Sequence, residues 1–154
     1  MTINESKELQ KLTLKDVTIL FSSLRDPKFG NSITIDVTDN AKQQAIAKFY
    51  KDNNFAKEPS FKIYVSEKTN TSVTQWTVKL SKFLTFVTPF EEQISLEDLK
   101  PADLERGTKV NMIVYAYNYK NNFGEGVTCS ATIIVSKGRK TASQKETDIK
   151  DLLN

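Results

Sequence analysis

The stretch TKVNMIVYAYNY, residues 108–119, and the stretch GVTCSATIIVSK, residues 126–137, decide the fold of this chain. In both, apolar and polar side chains alternate with a period of two, which is the pattern of a β-strand with one buried face. The segment KNNFGE between them suits a hairpin turn, and we expect Gly124 and Gly126 to take positive φ there. The sequence therefore predicts a long antiparallel hairpin.

The two faces of this hairpin differ in chemistry. The apolar positions, expected to face a core, are Val110, Met112, Val114 and Ala116 in the first strand, and Val127, Cys129, Ala131, Ile133 and Val135 in the second. The opposite face of the first strand carries Tyr115, Tyr117 and Tyr119, roughly 7 Å apart because residues two apart share a face. We therefore expect a tyrosine row outside a core that contains Cys129.

Shorter strand and helix patterns precede this hairpin. Alternation predicts strands at residues 12–21, 32–37, 61–65 and 73–80, with a change of phase at Lys15 and Asp16 that indicates a bulge. Thr38 or Asp39 is placed to cap an amphipathic helix that runs to about Asp52. A short helical segment is predicted at residues 95–104. We expect a flexible arm at residues 1–11, one domain at residues 12–137 and a flexible tail at residues 138–154.

Composition excludes several kinds of chemistry. The 154 residues include no histidine and a single cysteine, which removes Cys/His zinc sites, Ser-His-Asp triads and intrachain disulfides. We see no secretory signal and no apolar run long enough to span a bilayer. We therefore expect a cytoplasmic binding protein that is no enzyme and needs no cofactor or metal. A carboxylate-metal enzyme remains as a weaker alternative, built on Glu91, Glu92, Glu97, Asp98, Asp103 and Glu105.

The tyrosine row is the main candidate for function. Aromatic rings on a strand stack with the bases of single-stranded nucleic acid and contribute about 1–3 kcal/mol per base. The net charge of +3 is compatible with phosphate binding without requiring it. The other candidate contacts are Trp76 and Phe123 as additional stacking rings, and Lys109, Lys120, Arg139 and Lys140 as phosphate-neutralising cations. The alternative is that the tyrosines only cover a half-buried sheet face, as strands favour them.

Taken together, the pattern resembles the OB-fold single-stranded DNA-binding proteins that phages encode. The resemblance rests on GTKVNMIVYAY at residues 107–117, GEGV at residues 124–127 and IIV at residues 133–135. It implies a mainly β fold with minor α: a small five-stranded OB-like barrel with an inserted amphipathic helix and a short helix before the final hairpin.

The same resemblance implies a function. It suggests sequence-non-specific binding of single-stranded DNA in phage replication or recombination, in the host cytoplasm. Replication or recombination proteins would be contacted through the C-terminal tail, and a homo-oligomer is allowed. The rival is a β-barrel or β-sandwich module for protein interaction or assembly, in which the tyrosines form an interface, since tyrosine is also enriched there.

Overall fold

A computed structural model describes residues 10–28, 30–122 and 124–139 of the chain. These residues form a mainly β fold with one α-helix. The elements are β1 (Lys11–Asp26), β2 (Gly30–Asp36), α1 (Asn40–Asp52), β3 (Lys62–Ser66), β4 (Thr71–Val87), β5 (Gln93–Ser95), two 3-10 helices (Leu96–Asp98 and Pro101–Leu104), β6 (Thr108–Asn121) and β7 (Gly124–Arg139). The predicted helix is confirmed, and the Asp39 side chain accepts a hydrogen bond from the Ala41 backbone N–H at 3.0 Å.

Five of the strands close into a ring. β1 pairs with β2 on one side and with β6 on the other, β6 pairs with β7, β7 runs parallel to β4, and β4 pairs with β2. Strands β3 and β5 add to β4 outside this ring. This arrangement confirms the prediction of a mainly β, OB-like fold with a minor helical part.

A bulge divides β1 between two partner strands. The register of β1 against β6 shifts between Leu14 and Val17, and Asp16 has a φ of 56°. The Asp16 backbone N–H donates to the side-chain oxygen of Asn111 at 2.8 Å, which fixes the bulge. Because a bulge bends and twists its strand, the first half of β1 pairs with β6 and the second half with β2. The predicted change of phase at this point is confirmed.

The core fills the inside of the ring and is closed by the helical segments. Its largest fully buried side chains include Ile19, Ile33, Ile35, Trp76, Phe86, Met112 and Ile134. Helix α1 adds Ile46 and Phe49, and the 3-10 segment adds Leu99 and Leu104. The Arg25 guanidinium donates to the Leu99 carbonyl at 2.7 Å and to the Leu96 carbonyl at 3.2 Å.

Within the described part of the chain, no helix has the length and hydropathy needed to cross a membrane.

The two faces of β7 change sides part-way along the strand. Its register against β6 shifts where Ile133 pairs with Ile113 and Ala131 pairs with Val114, which leaves Thr132 as an extra residue. Cys129 and Ala131 therefore face the core as predicted, but beyond the bulge Ile134 is fully buried and Val135 is 37% exposed. The prediction that Ile133 and Val135 share the buried face with Cys129 is wrong, since it assumed unbroken alternation.

Candidate nucleic-acid interface

The outward face of β6 carries the predicted tyrosine row. Tyr115, Tyr117 and Tyr119 are 38%, 43% and 41% exposed. The alternate residues Val114 and Ala116 are buried, so one face of β6 packs on the core and the other is exposed to solvent. Across the hairpin, the three tyrosines are paired with Ser130, Thr128 and Gly126 of β7. The rings therefore stand beside small or polar side chains rather than under a second layer.

A groove lies beside two of these tyrosines because β4 and β7 separate there. Their parallel pairing runs through Leu80 with Ala131 and resumes at Thr85 with Ile133. Residues 81–84 of β4 therefore face a single residue of β7 and bulge away from it. The resulting groove has a volume of about 960 Å³ and is lined by Lys79, Leu80, Ser81, Lys82, Phe83, Thr85, Tyr115, Tyr117, Ser130, Thr132 and Ile133. We call it the tyrosine groove.

Phe83 belongs to the tyrosine groove and was missed by sequence reasoning. Its side chain is 74% exposed on the bulge of β4, and the Lys82 ammonium lies 5.1 Å from the centre of its ring. The Phe83 backbone N–H donates to the Ser81 hydroxyl at 3.0 Å, which helps to hold the bulge. The available signal was Lys82, because the buried residues before and after it keep a period of two and a charged, exposed residue stands where an apolar one is expected.

The charge around the tyrosine groove is positive. Lys79 and Lys82 are part of its wall, and none of its described lining residues is acidic. A row of paired residues crosses the surface from Lys79 to Ser130 of β7 and on to Tyr115 of β6. On β1, Lys11 is paired with Tyr115 from the other side. Cations therefore flank the aromatic rings on two sides, which is an arrangement suited to a polyanion with flat bases.

A second, more polar groove adjoins the first. Phe21 of β1 is 54% exposed and lines a groove of about 630 Å³ with Ser22, Ser23, Ser32, Ser60, Lys62, Gln75 and Thr77. Ser32 is paired with Lys79, so the two grooves meet at neighbouring strands. The floor is fixed by a hydrogen bond of 2.7 Å between the hydroxyls of Thr34 and Thr77. The polar, partly aromatic surface thus continues beyond the tyrosine groove.

Two predicted lysine contacts lie away from the tyrosine groove. Lys109 is six residues from Tyr115 along β6, roughly 20 Å at the rise of a strand. It lies instead near Asp16, whose pKa is lowered by a hydrogen bond and charge from Lys137 and, more weakly, by the charge of Lys109. Lys120 alternates with Tyr119 and therefore points to the opposite side of the hairpin. The structure does not bring either lysine to the tyrosine groove.

Three further candidates are placed only in part. Phe123 and Lys140 lie outside the described residues, and Arg139 is described as the last residue of β7 without its side chain. Their predicted contacts with nucleic acid stay predictions. The predicted arm and tail also fall mainly on residues 1–9 and 140–154, which are outside the described part of the chain.

Trp76 is a core residue, which corrects its prediction as a stacking ring. It is 2% exposed on the inner face of β4, and its ring centre lies 6.4 Å from that of Tyr50, in an edge-on arrangement. The phenol of Tyr50 is half-buried beside Trp76 and Cys129, and burial raises its pKa to about 12. Burial raises the pKa of the Cys129 thiol to about 11. Trp76 therefore fills the core and offers no free ring to a ligand.

The acidic residues of the carboxylate-metal alternative do not gather. Within residues 10–28, 30–122 and 124–139, no three carboxylate or thiol groups are close enough together to hold a metal ion. Asp98 accepts a hydrogen bond from the Ser95 hydroxyl at 3.2 Å, and Asp103 accepts one from the Lys100 backbone N–H at 2.9 Å. These two carboxylates stabilise the ends of the 3-10 helices.

Comparisons with known proteins agree with this fold. No family model and no curated protein matches the sequence of this chain. Among solved structures, the chain is similar to the single-stranded DNA-binding protein of bacteriophage Enc34 in complex with single-stranded DNA. The TM-score is 0.58 at 12% identity, over 84% of this chain and 87% of the phage protein. A C-terminal truncation of the phage protein gives a TM-score of 0.54 at 14% identity, over 84% and 85% of the two chains. This chain therefore shares the fold of a phage-type single-stranded DNA-binding protein.

Proposed function

We propose that this protein binds single-stranded DNA, without sequence preference, in the tyrosine groove. The observation that carries the proposal is the composition of that groove: three exposed aromatic rings and two lysines, with no acid among its described lining residues. The fold shared with a phage protein that was solved with single-stranded DNA supports the same choice of ligand.

The groove offers the two kinds of contact that such binding needs. Tyr115, Tyr117 and Phe83 present ring faces on which unpaired bases stack, each contributing about 1–3 kcal/mol. Every base has a π-face, so this contact does not depend on sequence. Lys79 and Lys82 neutralise phosphates and release bound counterions. The hydroxyls of Ser130 and Thr132 supply hydrogen bonds to sugar or phosphate oxygens.

The biological setting follows from this binding. By coating single strands, the protein would serve DNA replication or recombination. If a phage encodes it, it would act in the cytoplasm of the host cell. We propose that it acts by binding and not by catalysis. We propose that residues 138–154 contact replication or recombination proteins.

The first test is a titration of the full chain with fluorescent oligo(dT), with a duplex of equal length as control. We expect tighter binding to the single strand, with an affinity that falls as the salt concentration rises. Equal affinity for single strand and duplex, or no binding at about 50 mM salt, contradicts the proposal. The second outcome would favour the protein-interaction module, in which the same tyrosines contact a partner protein.

A further inference from the structure

Two glycines near the tip of the β6–β7 hairpin have different structural roles. Gly124 has a φ of +137° and open space around the position of a missing Cβ, so its conformation requires glycine. Gly126 is outside the positive-φ region and lies in the regular ladder opposite Tyr119. Its predicted positive φ is therefore wrong, and backbone geometry gives no reason for a glycine there.

The position of the Tyr119 ring explains why residue 126 is a glycine. A Cβ at residue 126 would lie 3.0 Å from the Tyr119 hydroxyl oxygen, 3.1 Å from Cε1 and 3.2 Å from Cζ. The far end of the ring thus occupies the space that a side chain at residue 126 would need. The ring lies across β7 because no side chain stands there. Tyr115 and Tyr117 face Ser130 and Thr128, which do carry side chains.

We propose that Gly126 is a positioning residue that holds Tyr119 as an additional base-stacking platform beyond the end of the tyrosine groove. One side of the Tyr119 ring rests on β7, while 41% of the residue remains exposed to solvent. A ring supported in this way loses little freedom when a base stacks on it. The inference rests on the proposed function, and it extends the path of the strand along β6 towards the hairpin tip.

A side chain at residue 126 should weaken DNA binding without lowering stability. Glycine inside a strand is destabilising compared with alanine by roughly 0.5–1 kcal/mol, because it loses more backbone freedom on folding. Gly126→Ala removes that cost while pushing the flexible end of the Tyr119 ring away by a few tenths of an ångström. We therefore expect an unchanged or higher Tm together with weaker DNA binding.

The test is a double-mutant cycle with Gly126→Ala and Tyr119→Ala, measured by oligo(dT) affinity and Tm. Tyr119→Ala should weaken binding by about 5- to 150-fold. Gly126→Ala should weaken it by a part of that factor, and should have no further effect in the Tyr119→Ala background. Gly124→Ala is the control: it strains the tip and lowers Tm, without coupling to Tyr119 in the cycle.

Two results would overturn the positioning role while leaving the proposed function intact. One is wild-type affinity of Gly126→Ala for oligo(dT). The other is a loss of affinity that persists when Tyr119 is already alanine. If the unsubstituted chain itself does not bind oligo(dT), the proposed function fails instead, so the two failures are distinguishable.

Discussion

The protein contains two groups of aromatic side chains with different surroundings. The outer aromatic face comprises Phe83, Tyr115, Tyr117 and Tyr119, and the inner aromatic cluster comprises Phe49, Tyr50, Phe55 and Trp76. The outer rings are 38–74% exposed beside lysines. The inner rings contact one another, with Tyr50 and Phe55 stacked at 4.1 Å between ring centres. The face on which an element places an aromatic residue therefore decides whether the ring packs in the fold or stays accessible to a ligand.

Truncation of the inner cluster should have the largest effect. Trp76→Ala should lower the free energy of unfolding by about 3–5 kcal/mol, since it leaves a cavity under α1. Chemical denaturation measures this loss, and the remaining folded protein should bind oligo(dT) normally. Tyr64→Ala is the matched control, because Tyr64 is 59% exposed on β3 and should change stability by less than about 0.5 kcal/mol. A stable Trp76→Ala protein with weakened binding would reverse the assignment of the two groups.

A smaller effect is expected from Cys129, which borders the inner cluster. Its pKa rises from 9.0 to about 11 mainly through burial, so the folded state keeps the proton more tightly than the unfolded state. Stability is therefore retained below about pH 9 and lost as the pH rises towards 11, by up to about 3 kcal/mol. The free energy of unfolding should be measured from pH 8 to 11 for the wild type and for Cys129→Ala, which lacks this contribution. Parallel pH curves for the two proteins, or rapid thiol labelling of the native state, would place Cys129 outside the core.

The outer aromatic face could be predicted from sequence only where buried and exposed residues alternate regularly. In β6 the period of two is unbroken from Val110 to Tyr117, and Tyr119 keeps the same phase, so both the buried residues and the tyrosine row follow from the pattern. The end of β7 and the bulge of β4 could not be predicted from this pattern. The extra residue Thr132 and the bulged residues 81–84 are set by the register between strands that are distant in sequence. Phe83 was missed for that reason.

Trp76 shows the second limit of sequence reasoning. Its place on β4 was predicted within a strand, but the choice of face was not. The neighbours Gln75 and Thr77 are polar, which is the local sign of an inward Trp76. The decisive contact comes from Tyr50 on α1, 26 residues away in sequence. The residues next to Trp76 thus indicate its inward face, but they do not identify Tyr50 as its partner.

Paired measurements of stability and affinity on single variants test most directly whether the exposed tyrosines of β6 bind bases. Tyr115→Ala and Tyr117→Ala should each weaken oligo(dT) binding by about 1–3 kcal/mol with little change in Tm. Tyr115→Phe and Tyr117→Phe should cost much less because the ring is kept. Tyr64, which is more exposed and lies away from the tyrosine groove, provides the control, and Tyr64→Ala should bind like the wild type. Full affinity of the Tyr115 and Tyr117 variants, or early melting with normal binding by the folded fraction, would contradict base binding by these tyrosines.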